Sequence, residues 1–231
     1  MRELGAVARL AGGLVVSCQA PPGHPLRATA SIGALCRCAE VGGAVGVRVD
    51  GVDQVQIAKA STGLCVIGIE KVYRSGLGLV DGRPAITPRV EDAVALAEAG
   101  ADMVAVEATV DLHGQRLGEA VRACREATGL PVMADVSTFE EGWVAFQAGA
   151  DVVATTLSGY SRESVERDGP DYGLIESLAK AGVVVAAEGR IGSPREAAQA
   201  LRAGARFVVV GRAITDPVGL TADFALALSE W

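Results

Sequence analysis

Histidine is nearly missing from this chain: its 231 residues include only His24 and His113. A histidine-rich metal site is therefore not expected, and neither is a hydrolase built on a histidine base. The cysteines (Cys18, Cys36, Cys38, Cys65 and Cys124) are odd in number and form no C-x-x-C pair. Two thiols two residues apart on a helix, as at Cys36 and Cys38, face different ways and make a poor metal clamp. Free, mostly buried thiols in a reducing cytoplasm are the expected state. Half the residues are hydrophobic, yet no run approaches the ~20 apolar residues that span a bilayer. The first dozen residues carry Arg2, Glu3 and Arg9 without a signal-cleavage pattern, and they are expected to form a short leading helix. A net charge of −7 argues against a general nucleic-acid binder, which needs a basic surface. It leaves room for a local basic pocket around a small phosphate. No G-x-G-x-x-G follows the first apolar run, which argues against a dinucleotide fold. No linker or low-complexity stretch divides the chain, so residues 1–231 are expected to form one domain.

What is present is a repeat. Helical patterns end in small-residue stops just before an apolar run, as at Val41-Gly42-Gly43, Ala99-Gly100-Ala101, Ala148-Gly149-Ala150, Ala181-Gly182 and Ala203-Gly204-Ala205. The apolar runs are 14–19, 44–49, 65–70, 102–108, 131–136, 151–156, 183–187 and 207–211. Valine-rich runs of this length suit strands buried on both faces. Helices are expected near 30–41, 51–62, 90–99, 115–128, 138–148, 171–181, 194–203 and 218–229. Ser193-Pro194 is a start signal, a capping hydroxyl followed by proline at the first helical position, and Gly204 is the matching stop. Eight strand–helix units of this size fit a closed (β/α)8 barrel better than an open sheet.

In a barrel, polar residues at the carboxyl ends of strands converge on one mouth. Here they are Gln19, Arg48, Lys71, Glu107 with Thr109, Asp135, Thr155 with Thr156, Glu188 with Arg190, and Gly211 with Arg212. Each charge alone fits a solvated loop; eight strands all finishing polar points to a site. The longer irregular pieces, 20–29, 72–89 and 157–170, all follow strands and belong on that same face. Gly76, Gly78 and Gly82 would permit residues 72–85 to act as a lid.

Several segments in order along the chain carry a family pattern: Val16-Ser17-Cys18-Gln19-Ala20, Gly42 to Arg48 and Ile67-Gly68-Ile69-Glu70-Lys71. Ile86-Thr87-Pro88, Met133 to Thr138, Thr155 to Tyr160, Ala187 to Ile191 and Val210 to Thr215 continue it. On these segments the chain resembles the bacterial N-acylmannosamine-6-phosphate 2-epimerases. The resemblance implies a (β/α)8 isomerase that interconverts N-acetylmannosamine 6-phosphate and N-acetylglucosamine 6-phosphate in sialic-acid catabolism, without metal or organic cofactor. It assigns Lys71 as the acid/base at C2 and Glu188 as its carboxylate partner. Gln19, Arg48, Asp135, Thr156 and Ser158 would bind the sugar, and Gly189, Arg190, Gly211 and Arg212 the phosphate. A homodimer is the expected assembly.

The chain departs from the family pattern at Glu107, where aspartate is usual, and at Val110 to His113, where basic residues are usual. It departs again at Val72-Tyr73, where a basic and acidic pair is usual, and at Asp216, where arginine is usual. Arg212 is expected to supply the charge missing at 216. The other readings are a sugar-phosphate-binding barrel without catalysis or with altered specificity, and another phosphate-binding barrel such as a pentulose-phosphate epimerase. The latter would show a metal-ligand histidine set or another catalytic pattern, and neither is visible.

The chemistry explains the residue types. Moving the C2 proton of an amino sugar requires an opened ring, so that the C1 carbonyl can take up developing charge. A lysine serves as base only when neutral; burial and a nearby cation such as Arg48 favour that form, whereas a carboxylate opposes it. Lys71 and Glu188 would then share one proton.

Overall fold

The structure, a computed structural model, describes residues 3–73 and 83–229. Eight parallel strands close into a barrel. Around the ring they run β1 (Leu14–Ser17), β10 (Phe207–Val210), β9 (Val185–Glu188), β8 (Val152–Ala154), β7 (Val132–Asp135), β6 (Met103–Glu107), β3 (Cys65–Ile69) and β2 (Gly46–Asp50). All eight lie within or next to the apolar runs of the sequence, and helices wrap the outside in a (β/α)8 architecture. Two short strands, β4 (Lys71–Val72) and β5 (Ala85–Ile86), stand outside the ring and form a small antiparallel pair at the mouth, with Lys71 opposite Ile86. The proposed lid falls largely on residues 74–82, outside the described residues.

The strand period of two builds two cores. Val47, Val66, Val104, Val132, Val153, Val185 and Val208 face outward and meet the helices. Val15, Ile67, Met103, Met133, Ala186 and Phe207 belong to a second cluster that fills the barrel. Leu10, from the leading helix α1 (Glu3–Leu10), is fully buried in that same cluster. A Cβ on Gly46 would lie 2.7 Å from its Cδ2, so glycine there lets α1 close the amino-terminal end.

The outer helices match the expected ranges: α2 (Thr29–Val41), α3 (Val52–Ser61), α4 (Val90–Glu98), α6 (Leu117–Thr128), α7 (Phe139–Gln147), α8 (Tyr172–Lys180), α9 (Pro194–Arg202) and α11 (Pro217–Ser229). Two four-residue helices, α5 (Val110–His113) and α10 (Arg212–Thr215), were not anticipated; pieces this short have no hydrophobic period to detect. The starts of α7, α8 and α9 are capped by side chains, whereas those of α2, α3, α4 and α6 are not. Ser193 accepts from the Glu196 N–H, Asp171 from Leu174, and Thr138 forms a reciprocal capping box with Glu141. Gly204 ends its helix unit with φ +109. Helix α11 differs from the rest: none of its residues is buried, and Phe224, Leu226 and Leu228 are 65–73% exposed.

Candidate active site

The alternation that packs the barrel also aims its last inward residues at the mouth. Met103 and Ala105 point inward, so Glu107 does too. Met133 brings Asp135 with it, Val152 and Ala154 bring Thr156, and Ala186 brings Glu188. On β2 the same parity turns Arg48 inward between Val47 and Val49.

Arg48 is the floor of the cup, with a side chain only 1% exposed. Its Nη2 donates to Asp135 Oδ2 at 2.5 Å and its Nη1 to Asp135 Oδ1 at 3.2 Å, while Nη1 also donates to Glu188 Oε2. The Thr156 hydroxyl lies between the two carboxylates, 2.7 Å from Asp135 Oδ1 and 3.2 Å from Glu188 Oε2. Burial works against the charge on Arg48, but Asp135 and Glu188 outweigh it and hold the guanidinium above its ordinary value. One cation shared by two carboxylates leaves the cluster one negative charge in excess. Glu188 is therefore raised above the usual carboxylate range, first by burial and then by Asp135, although Arg48 pulls the other way.

Lys71 lies just past the end of β3. Its backbone N–H donates to Asp50 Oδ1 at 2.8 Å, which fixes where the side chain leaves the strand. Burial lowers its amine below the ordinary lysine value; Arg48 lowers it further, against the opposing pull of Asp50, Glu188 and Asp135. The mouth thus pairs an amine whose value burial lowers with a carboxyl whose value burial raises.

These groups surround a cavity of about 340 Å³. Gln19, Arg48, Lys71, Thr156 and Glu188, all singled out in the sequence, line it. Asp135, expected to bind the sugar, is instead fully buried against Arg48 and Thr156 and does not line the cavity. Gly189 and Gly211 occupy the turns after β9 and β10, Gly189 with φ +106. At Gly211, a Cβ would come within 3.4 Å of the Ser17 side chain.

Three further side chains depart from their expected roles. Ser158 is buried, and its hydroxyl donates to Asp171 Oδ2 at 2.7 Å rather than facing the cavity. The Arg190 guanidinium holds the carbonyls of Ser158 and Gly169 and stacks 4.5 Å over the Tyr160 ring, so it clamps the loop after β8. Arg212 is 60% exposed and grips Asp223 at 2.7 and 2.8 Å, which turns its charge toward α11. Asp216 accepts the Gly219 N–H at 2.9 Å, the bond of a helix-capping residue ahead of Pro217.

Sequence reading missed Arg83, which lines the cavity and forms a bidentate pair with Glu107 at 2.8 and 3.0 Å. Glu107 was visible as a polar strand end. Arg83 had no such signal, because it stands in an irregular segment far from any strand end in the pattern.

A sequence profile described as "Putative N-acetylmannosamine-6-phosphate epimerase" matches residues 32–230. A protein of Caldanaerobacter subterraneus named "Putative N-acetylmannosamine-6-phosphate 2-epimerase" is 42% identical over 232 residues, 99% of this chain and 96% of that protein. The "Bifunctional enzyme NanE/NanK" of Brucella melitensis is 42% identical over 97% of this chain, which spans 42% of that longer protein. Among solved structures, the N-acetylmannosamine-6-phosphate 2-epimerase from Clostridium perfringens superposes with a TM-score of 0.87 at 36% identity, covering 96% of this chain and 95% of the other. Deoxyribose phosphate aldolase from Aeropyrum pernix, at 22% identity and TM-score 0.65, shares the fold.

Proposed function

The chain belongs to the N-acetylmannosamine-6-phosphate epimerase family, and from that premise we propose how the residues of its cup carry out the reaction. The enzyme is an isomerase that epimerises C2 of a phosphorylated N-acylated hexosamine, converting N-acetylmannosamine 6-phosphate to N-acetylglucosamine 6-phosphate. The observation that carries the residue assignment is the shared cavity of Lys71 and Glu188 over the Arg48–Asp135 pair.

In this reading the ring opens and exposes the C1 aldehyde. Lys71 Nζ, as the neutral amine, takes the proton from C2, and the C–H electron pair moves into the C1–C2 bond as the carbonyl oxygen takes up charge. Glu188, which starts the cycle protonated, gives its proton to C2 from the opposite face as the C1 carbonyl re-forms. Lys71 is then the ammonium and Glu188 the carboxylate, and the proton passes from Lys71 to Glu188 before the next turnover. Arg48, Gln19 and Thr156 hold the sugar oxygens. The backbone N–H groups of the turns at Gly189-Arg190 and Gly211-Arg212 receive the phosphate, as turns after the last two strands do in phosphate-binding barrels. Ser158 acts through the Asp171 loop rather than on the sugar.

We place the enzyme in the cytoplasm, where its free thiols persist, as a homodimer. Support for pairing is the apolar surface of α11 together with an open apolar groove of about 440 Å³ lined by Leu14, Pro194, Leu201, Val208 and Ile214.

Proton NMR of N-acetylmannosamine 6-phosphate with the protein in heavy water tests the reaction. The epimer should appear with deuterium at C2. A protein that binds the sugar and leaves its C2 proton in place would be a non-catalytic binding barrel.

A further inference from the structure

Arg83 stands just ahead of β5, with a side chain 10% exposed. A guanidinium buried to this degree normally has its donors engaged. Its Nη1 and Nη2 hold the two oxygens of Glu107 at 3.0 and 2.8 Å. Glu107 is fully buried and also receives the Thr109 hydroxyl at 2.6 Å and the Ile86 N–H at 3.2 Å, so its carboxylate fixes the plane of Arg83. The Nε–H of Arg83 is buried and has no hydrogen-bond partner among the described residues. Arg83 lines the same cavity as Lys71.

The ring order says which end of a substrate would meet this donor. β3 lies four strands from β9 in either direction, and β6 lies four from β10. The turns after β9 and β10 therefore face Lys71 and the Glu107–Arg83 pair across the mouth. A sugar held by its C6 phosphate at the first pair of turns presents C1, C2 and the acylamino group to the second. Charge selects among the oxygens at that end. Glu107 neutralises Arg83, and a neutralised guanidinium whose Nε–H is unspent suits an uncharged acceptor better than an anion.

Resting on the epimerase reading, we propose that Arg83 is a specificity residue whose Nε–H donates to the acyl carbonyl oxygen of the 2-acylamino group, with Glu107 as its positioning carboxylate. The sequence separates this donor from the family motifs, since Arg83 lies between Lys71 and Ile86-Thr87-Pro88.

The full chain and its Arg83→Gln and Arg83→Lys variants are compared in two measurements. Kinetics with N-acetylmannosamine 6-phosphate should give a KM raised about tenfold or more, with kcat within about threefold of wild type. Calorimetry should show the same loss for N-acetylglucosamine 6-phosphate and none for glucosamine 6-phosphate, which lacks the acyl oxygen. Arg83→Lys keeps a cation for Glu107 while removing Nε, so it decides the question if the glutamine variant does not fold. Equal losses for both sugars, or an unchanged KM, overturn the proposal. Wild-type protein that leaves C2 undeuterated in heavy water overturns the epimerase reading instead, and the acylated-against-deacylated binding comparison still decides Arg83.

Discussion

Lys71 carries opposite obligations to activity and to stability. As the proposed acid/base, its removal in Lys71→Ala should cost about 10²–10⁴-fold in kcat, with parallel loss of C2 deuteration in a chain that still folds. The same amine weakens the fold. Its value is 10.5 in the unfolded chain and lower in the folded one. Between the two the unfolded chain binds more protons, so stability rises with pH across that window. Below it the folded state bears the cost of a charged, partly desolvated amine. Lys71→Met should therefore raise the thermal midpoint at pH 7, and the gain should vanish as the pH passes 10.5. Calorimetric scans at the two pH values measure this. Arg48 behaves the other way. Arg48→Met strands Asp135 and Glu188 without their cation, and breaking a buried pair in this way costs about 3–5 kcal/mol, read from urea unfolding at neutral pH.

At the scale of elements, the loop after β8 is built rather than loose. Arg190, at φ +53, spans it to the Ser158 and Gly169 carbonyls, and Ser158 ties it to Asp171 at the start of α8. Arg190→Ala should lose about 1.5–3 kcal/mol and expose residues 157–170 to faster limited proteolysis, measured as the cleavage rate under native conditions. The turn after β10 is tied through α10 to α11. Asp216 caps α11, and Arg212 reaches across to Asp223 on the same helix. A charge expected at the phosphate is thereby spent on holding α11. Such a diversion is invisible in sequence, because the residue types at 212 and 216 carry no information about which neighbour each will find.

For the whole molecule, α11 is the element that the barrel does not absorb. It buries none of its own residues, and the apolar groove beside β10 and α9 lies open. An exposed apolar surface of this kind is a common mark of an association surface. Sedimentation velocity should find a dimer, and Phe224→Asp should shift the population toward monomer while leaving the barrel's circular dichroism intact.

The sequence alone determined the eight strands, their helices and the inward parity that carries Arg48, Asp135, Thr156 and Glu188 to one end. It could do so because strand period, capping residues and glycine stops are local, and a barrel leaves its strand ends one place to meet. Tertiary structure alone decided which charges stay available to a ligand. Arg190 and Arg212 are consumed by carbonyls and by Asp223, whereas Arg83, silent in the pattern, enters the cup because Glu107 waits there for a cation. The physical reason is that an ion pair depends on distance in space, and chain order sets that distance only after the fold has closed.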